Sequence, residues 1–310
     1  MRTLAFALCA LTLSACASAS TPPAADTPGV ITTESMARGS LTRTYQVHDF
    51  SGGKRAPMVI VMHGGGGNAA NAVNMTQFDV IGRREHLIIV YPDGSAGPLV
   101  PNLETWNAGH CCAQAMRNKV DDIGFLSAVI DKMVGSGKAD PVRIYATGMS
   151  NGGMMSHRLG IELSDKIAAV APVVGALFGD EKDPPRGVPI LIINGAVDRI
   201  VPAEGGRLSP DGGNIAAGQE DHSLLPSKAQ GEFWARAGHC KAGVTKAVPG
   251  ASLIEYPGCA DGVEVLHYTV TNNGHAWPGG RPGREGANVP SKDFNASEMI
   301  WAFFKRHPKR

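Results

Sequence analysis

Five short, almost unbroken apolar runs recur along this chain of 310 residues: Met58 to Met62, Leu87 to Tyr91, Val142 to Ala146, Ala168 to Val174 and Pro189 to Asn194. A strand that is apolar throughout must be covered on both faces, which is the signature of a parallel sheet. Helical stripes lie between the runs. Asp122 to Val134 carries Ile123, Leu126, Val129, Ile130 and Met133 on one face, with Asp121 or Asp122 as its cap, and Met154 to Leu163 and Leu225 to Ala237 follow the same period. Asn295 and Glu298 form a capping-box pattern ahead of a final apolar helix. Leu41 to Asp49 alternates like an exposed or edge strand, and Val263 to Val270 reads as the last strand, near the sheet edge. Strands alternating with helices predict an α/β fold, a mainly parallel central sheet flanked by helices on both faces. With no internal repeat, residues 36–310 are expected to form one domain.

The first residues follow a different logic. Met1-Arg2 is a short positive start, Leu4 to Leu13 an apolar stretch of signal-peptide length, and Leu13-Ser14-Ala15-Cys16 resembles a lipobox. Residues 1–16 are therefore expected to be a lipoprotein-type signal with Cys16 as the lipidated residue, and 17–35 a flexible tether rich in Ala, Ser, Thr and Pro. An ordinary secretory peptide cut near residues 15–20 is the plainer reading. Either places the body outside the cytoplasm, secreted, periplasmic or at the cell surface, with membrane contact only through the anchor. The net charge of +1 and the lack of a basic block in the body argue against nucleic acid as a partner.

Export bears on the cysteines. Cys111, Cys112, Cys240 and Cys259 remain once Cys9 and Cys16 are set aside, an even number for an oxidising compartment. Cys240–Cys259 closes a short loop and is the preferred bridge, which leaves Cys111–Cys112 as a vicinal pair; crossed pairings stay open, as does a pair of buried thiols at 111 and 112. No Cys-x-x-Cys or His-x-x-x-His spacing occurs, so no metal site is expected.

The chemistry concentrates at Gly148-Met149-Ser150-Asn151-Gly152, which fits the G-x-S-x-G turn between a strand and a helix. A free hydroxyl is a poor nucleophile and needs a base, and the base needs an acid to set its tautomer. Asp198 follows the run ending in Asn194-Gly195, and His275 follows the last strand inside a Gly/Pro loop. Asp180 and Asp183 precede their strand and fit less well as the acid. The order Ser150, Asp198, His275 matches the α/β-hydrolase order. His63-Gly64-Gly65-Gly66-Gly67 directly follows the strand 58–62 and fits an oxyanion loop. Gly65 N–H is the assigned donor, with Gly64 or Gly66 as alternatives, and Asn151 N–H is the second. His63 reads as a structural brace. A phosphate loop is set aside because its Lys-Ser/Thr is missing.

These residues, with Trp106-Asn107-Ala108-Gly109-His110-Cys111-Cys112, Val120-Asp121-Asp122-Ile123-Gly124-Phe125, Gly195-Ala196-Val197-Asp198 and Gly274-His275-Ala276-Trp277-Pro278-Gly279, resemble the secreted esterases that include polyhydroxybutyrate depolymerases and feruloyl and acetylxylan esterases. The likeness runs from about residue 40 to 307. It implies an α/β-hydrolase fold, serine-dependent hydrolysis of carboxylic esters through an acyl-enzyme, a Ser150–Asp198–His275 triad, and no cofactor. It also implies that Trp277 and Trp106 wall the substrate cleft, although Trp277 also suits a packing role. The expected partner is a small or oligomeric ester. A peptidase of the same fold and a non-catalytic lipid-anchored binding protein are the rival readings.

Overall fold

The computed structural model describes residues 28–97, 103–209, 222–283 and 286–310. The expected signal segment, Cys16 and the expected tether up to residue 27 lie outside them. In chain order the strands are β1 (Val30–Arg38), β2 (Leu41–Asp49), β3 (Ala56–Met62), β4 (Ile88–Pro92), β5 (Ala139–Met149), β6 (Ala169–Val173), β7 (Ile190–Gly195), β8 (Val244–Val248), β9 (Ala251–Tyr256) and β10 (Val265–Val270). The helices are α1 (Ala69–Thr76), α2 (Phe78–Glu85), α3 (Ala113–Arg117), α4 (Asp122–Gly135), α5 (Asn151–Glu162), α6 (Ser227–Ala237) and α7 (Ala296–Phe304).

The strands form one ten-stranded sheet in the order β1-β2-β4-β3-β5-β6-β7-β10-β9-β8. From β4 to β10 in that order every neighbour is parallel, and an antiparallel pair borders each side. All five apolar runs fall in the parallel centre. Side chains alternate between two cores there. Met58, Ile60 and Met62 join the core that holds Phe125 and Leu126 of α4, Met155 and Leu159 of α5, and Trp234 of α6. Val59 and Val61 join the other, with Phe78 and Ile81 of α2 and Ile300, Phe303 and Phe304 of α7. Each such side chain contributes roughly 1.5–3 kcal/mol by leaving water, which is why both faces of the central strands read as apolar.

Four local expectations change. Residues 30–35, assigned to the tether, belong to β1, whose register pairs Val30 with Asp49 and Arg38 with Leu41. Its exposed, polar residues hide a strand because only one neighbour holds it. β2 is consequently not the edge. β10 is not near the edge either, because the β8–β9 hairpin extends the sheet beyond it. At α7, Asn295 Oδ1 accepts from Glu298 N–H at 3.1 Å, but the Glu298 carboxylate pairs with Arg84 in two bonds of 2.8 Å instead of closing the box.

At α4, Asp121 is the cap, accepting from Gly124 N–H at 2.8 Å. Asp122 has another task. Its carboxylate is buried 2.7 Å from Arg43 Nη1 and accepts the Asn107 N–H at 2.7 Å. Burial pushes its pKa up against the pull of Arg43. The Arg43 guanidinium lies 4.2 Å over the Phe125 ring and donates to the Asp93 carbonyl. The pair thus fastens β2, α4 and the loop after Trp106 together. Both preferred disulfides are present, Cys111–Cys112 and Cys240–Cys259. Such bonds fit an oxidising, extracytoplasmic setting. Among the described residues, no helix is long and apolar enough to cross a membrane.

Candidate active site

Register decides where the chain leaves the sheet. Met62 pairs with Gly148, Met149 with Val173, and Gly195 with Val270, so β3, β5, β6, β7 and β10 end at one rim. Functional groups gather at the carboxyl ends of parallel strands in open sheets of this kind.

Ser150 sits between β5 and α5 with φ 57° and ψ −120°, a backbone state that L residues rarely adopt. Its N–H donates to the Val173 carbonyl at 2.9 Å. The turn closes only because its flanks lack side chains. A Cβ on Gly148 would stand 2.5 Å from the Gly152 carbonyl oxygen, and one on Gly152 2.5 Å from that of His63. The hydroxyl therefore projects at the N-terminal, electropositive end of α5.

Asp198 lies in the turn after β7. Its Oδ1 accepts the Ile200 and Val201 N–H groups at 2.8 and 2.9 Å. Its Oδ2 accepts from His275 Nδ1 at 2.8 Å. The carboxylate only accepts, so the proton is on Nδ1 and Nε2 is left to accept from the Ser150 hydroxyl, which lies 2.8 Å away. The acid and base side chains are 3% and 9% exposed, so water competes little for these bonds. The three residues expected from the sequence meet in one continuous chain.

What holds His275 was not foreseen. Asn273 Nδ2 donates to the carbonyls of Gly274 and Ala276 on either side of it, and Asn273 Oδ1 accepts from Ser291 N–H at 3.0 Å. Asn288 Oδ1 accepts the His275 N–H at 2.8 Å. Asparagines in Gly/Pro loops carry no periodicity, and these bonds span up to 18 residues.

The glycine loop after β3 passes beside the serine, with a Cβ built on Gly64 only 3.5 Å from Ser150 Cβ. Gly66 N–H is committed to the Glu104 carbonyl at 2.7 Å and Gly67 N–H to that of Gly64, which removes Gly66 from the candidate donors. His63 is the brace expected. Its Nε2 accepts the Gly94 N–H at 2.9 Å, so Nδ1 carries the proton donated to the Gly64 carbonyl. Complete burial pulls its pKa down to about 4, and it stays neutral. Glu104, part-buried beside this loop, is pushed up to about 7 by burial and by the Asp93 charge.

Trp106 and Trp277 do not wall a cleft. Both are 0% exposed. Trp106 Nε1 donates to the His63 carbonyl at 3.0 Å, and Trp277 Nε1 to Ser297 Oγ at 3.0 Å. Indoles so engaged support the catalytic loops from beneath and offer no face to a substrate. A cavity of about 490 Å³ does open along α5, walled by Met154, Arg158, Leu177 and Phe178 and by none of the three triad residues.

Residues 45–191 match the family described as Esterase PHB depolymerase. NocK of Nocardia uniformis subsp. tsuyamanensis, provisionally named an esterase, is 31% identical over 254 residues, covering 77% of this chain and 72% of its own. The chain belongs to the esterase family of this relative. Feruloyl esterase B of Piromyces equi is 32% identical over 239 residues, covering 76% of this chain; the match spans only 42% of that longer relative. Among solved structures, the acetyl xylan esterase from Aspergillus awamori aligns with a TM-score of 0.57 at 12% identity, covering 88% of this chain and 99% of the other. Esterase PE8 aligns with a TM-score of 0.53 at 14% identity, covering 84% of this chain and 97% of the other. At such low identity the structural likeness speaks for the α/β-hydrolase fold alone, and the family rests on the sequence relatives.

Proposed function

We propose that this esterase-family chain hydrolyses carboxylic esters through an acyl-enzyme on Ser150. The observation that carries the reading is His275, which bridges Ser150 and Asp198 with two bonds of 2.8 Å. In the proposed cycle the Ser150 hydroxyl attacks the ester carbonyl while His275 Nε2 takes its proton. Asp198 holds the imidazole in its Nδ1–H tautomer and stabilises the imidazolium. The N–H groups of Gly65 and Asn151 receive the developing oxyanion, a contribution of about 3–4 kcal/mol per donor in sites of this kind. His275 then protonates the leaving alcohol. Water, deprotonated by the same nitrogen, splits the acyl-enzyme and restores the serine. No cofactor takes part in this cycle.

The substrates proposed are hydroxyalkanoate, feruloyl or acetyl esters, the classes named for the relatives. Lipid anchoring through Cys16 is proposed on the lipobox-like sequence alone, and would hold the enzyme outside the cytoplasm on a membrane. A fluorophosphonate probe tests the nucleophile. It is expected to label the wild type stoichiometrically and the folded Ser150→Ala variant not at all, with ester turnover falling about a millionfold. Label or turnover persisting in that variant would reject the assignment. One purified sample compared on hydroxybutyrate oligomers, methyl ferulate and acetylated xylan resolves the ester class.

A further inference from the structure

Three loops outside the triad bring two imidazoles and a carboxylate to one point on the surface. His110 lies in the loop after Trp106, Asp180 in the loop after β6, and His222 ahead of α6. His110 Nε2 and Asp180 Oδ2 are 2.8 Å apart, and His222 Nε2 is 3.9 Å from the same oxygen. The two imidazole rings lie parallel, with centroids 3.6 Å apart. One ligand atom from each of the three residues falls within 4.8 Å of the other two.

We propose that His110, Asp180 and His222 bind a divalent transition-metal ion of borderline softness, with zinc as the type. Imidazole nitrogen and carboxylate oxygen are the donors such ions take. At metal–ligand distances near 2.0–2.1 Å, neighbouring donors of a tetrahedral site stand about 3.3 Å apart. The separations of 2.8 and 3.9 Å bracket that value, and the two parallel rings must turn out of their stack so that both ring planes pass through the ion. The proton shared by His110 and Asp180 moves off Nε2 as the ion arrives, leaving the ring in its Nδ1–H tautomer.

The loops are already tied in place, which limits the ordering cost of binding. The Glu181 carboxylate accepts the Phe178 and Gly179 N–H groups at 2.6 and 2.8 Å, fixing the turn that carries Asp180. Leu225 N–H donates to the Leu177 carbonyl at 2.7 Å, joining the His222 segment to that turn. The Cys111–Cys112 bond follows His110 directly, and Phe178 packs edge-on against the His110 ring. Three protein donors leave a fourth position on a tetrahedral ion for water or for an oxygen of a molecule in the 490 Å³ cavity, whose lining includes His110 and Asp180. The expectation that no metal site exists rested on spacing along the chain, which cannot register donors that meet only through tertiary folding.

The test is calorimetric titration of tag-free, chelator-treated full chain with zinc chloride. One ion per chain is expected. His110→Ala, Asp180→Asn and His222→Ala should each weaken binding at least tenfold, while His239→Ala, at an exposed histidine outside the cluster, should not. Cobalt(II) added to the wild type should give a visible ligand-field spectrum that each of the three variants loses. Asp180→Asn and His222→Ala keep the test decisive if the change beside the vicinal disulfide impairs folding. No saturable zinc binding by the wild type, or binding that survives in His110→Ala/His222→Ala, would overturn the proposal. Neither outcome bears on Ser150, whose labelling is read separately.

Discussion

Asn151 and Trp106 clasp one another. The Trp106 N–H donates to Asn151 Oδ1 at 2.7 Å, and Asn151 Nδ2 donates to the Trp106 carbonyl at 3.0 Å. The residue that follows the serine is thereby locked to the loop of His110 and the vicinal cysteines. Asn151→Ala keeps the backbone N–H proposed for the oxyanion but leaves the buried Trp106 N–H without a partner, while the Trp106 carbonyl keeps the Cys112 N–H at 3.0 Å. Stability should fall by roughly 1–3 kcal/mol. Urea denaturation reads this directly, and an unshifted midpoint would contradict it.

Asp198→Asn should separate orientation from folding. The amide oxygen can still accept the Ile200 and Val201 N–H groups that Asp198 Oδ1 now receives. The amide nitrogen cannot accept from His275 Nδ1–H, so the ring adopts the wrong tautomer. Turnover on a p-nitrophenyl ester should drop about 10⁴-fold with the thermal midpoint nearly unchanged. A loss under tenfold would remove Asp198 from the proposed triad.

Two glycines offer opposite outcomes for the same change. A Cβ on Gly152 meets the His63 and Met62 carbonyl oxygens at 2.5 and 2.6 Å, and neither strand end can retreat. Gly152→Ala should therefore cost about 3 kcal/mol or prevent folding. A Cβ on Gly135, inside α4, meets nothing within 4 Å. Gly135→Ala should stabilise by about 0.5–1 kcal/mol. Paired melting curves compare them.

Acid should unfold this protein through three buried rings. Burial lowers His63 and His267 to about 4 and His157 to about 3 from an ordinary 6.5. Each folded-state pKa is depressed, so the unfolded chain binds the extra protons. Stability is full above pH 6.5 and is lost as pH falls toward 4, at about 1.4 kcal/mol per pH unit for each ring. Denaturation midpoints at intervals from pH 7.5 to 4.5 should show that decline, with a shallower slope in His267→Gln. Equal slopes in the two proteins would refute the linkage.

How much of this was legible follows from where the information sits. Val59 and Ile60 are buried on opposite faces of one strand, so a short continuous run betrays them. Ser150 and Asp198 each follow such a strand and His275 follows the last strand of the chain, so their order could be read without coordinates. β1 and the β8–β9 hairpin could not, because Thr32, Glu34, Thr245 and Lys246 look like loop residues where most of β1 and β8 meets water. The tryptophans misled for a related reason. A bulky aromatic beside a reactive loop can point outward to substrate or inward to the core, and only the Ser297 and His63 partners decide it. The supports of His275 and the union of His110, Asp180 and His222 are contacts across distant segments, which local pattern does not encode.

The serine hangs from β5, the acid from β7 and the base from β10, with β6 the sole strand between the first two. Their alignment is thus a vernier on the middle of the sheet. A slip of a single residue between β7 and β10 would carry the imidazole more than 3 Å from its partners, so hydrolytic output can serve as a gauge of sheet registration, fading before spectroscopy records any loss of secondary structure.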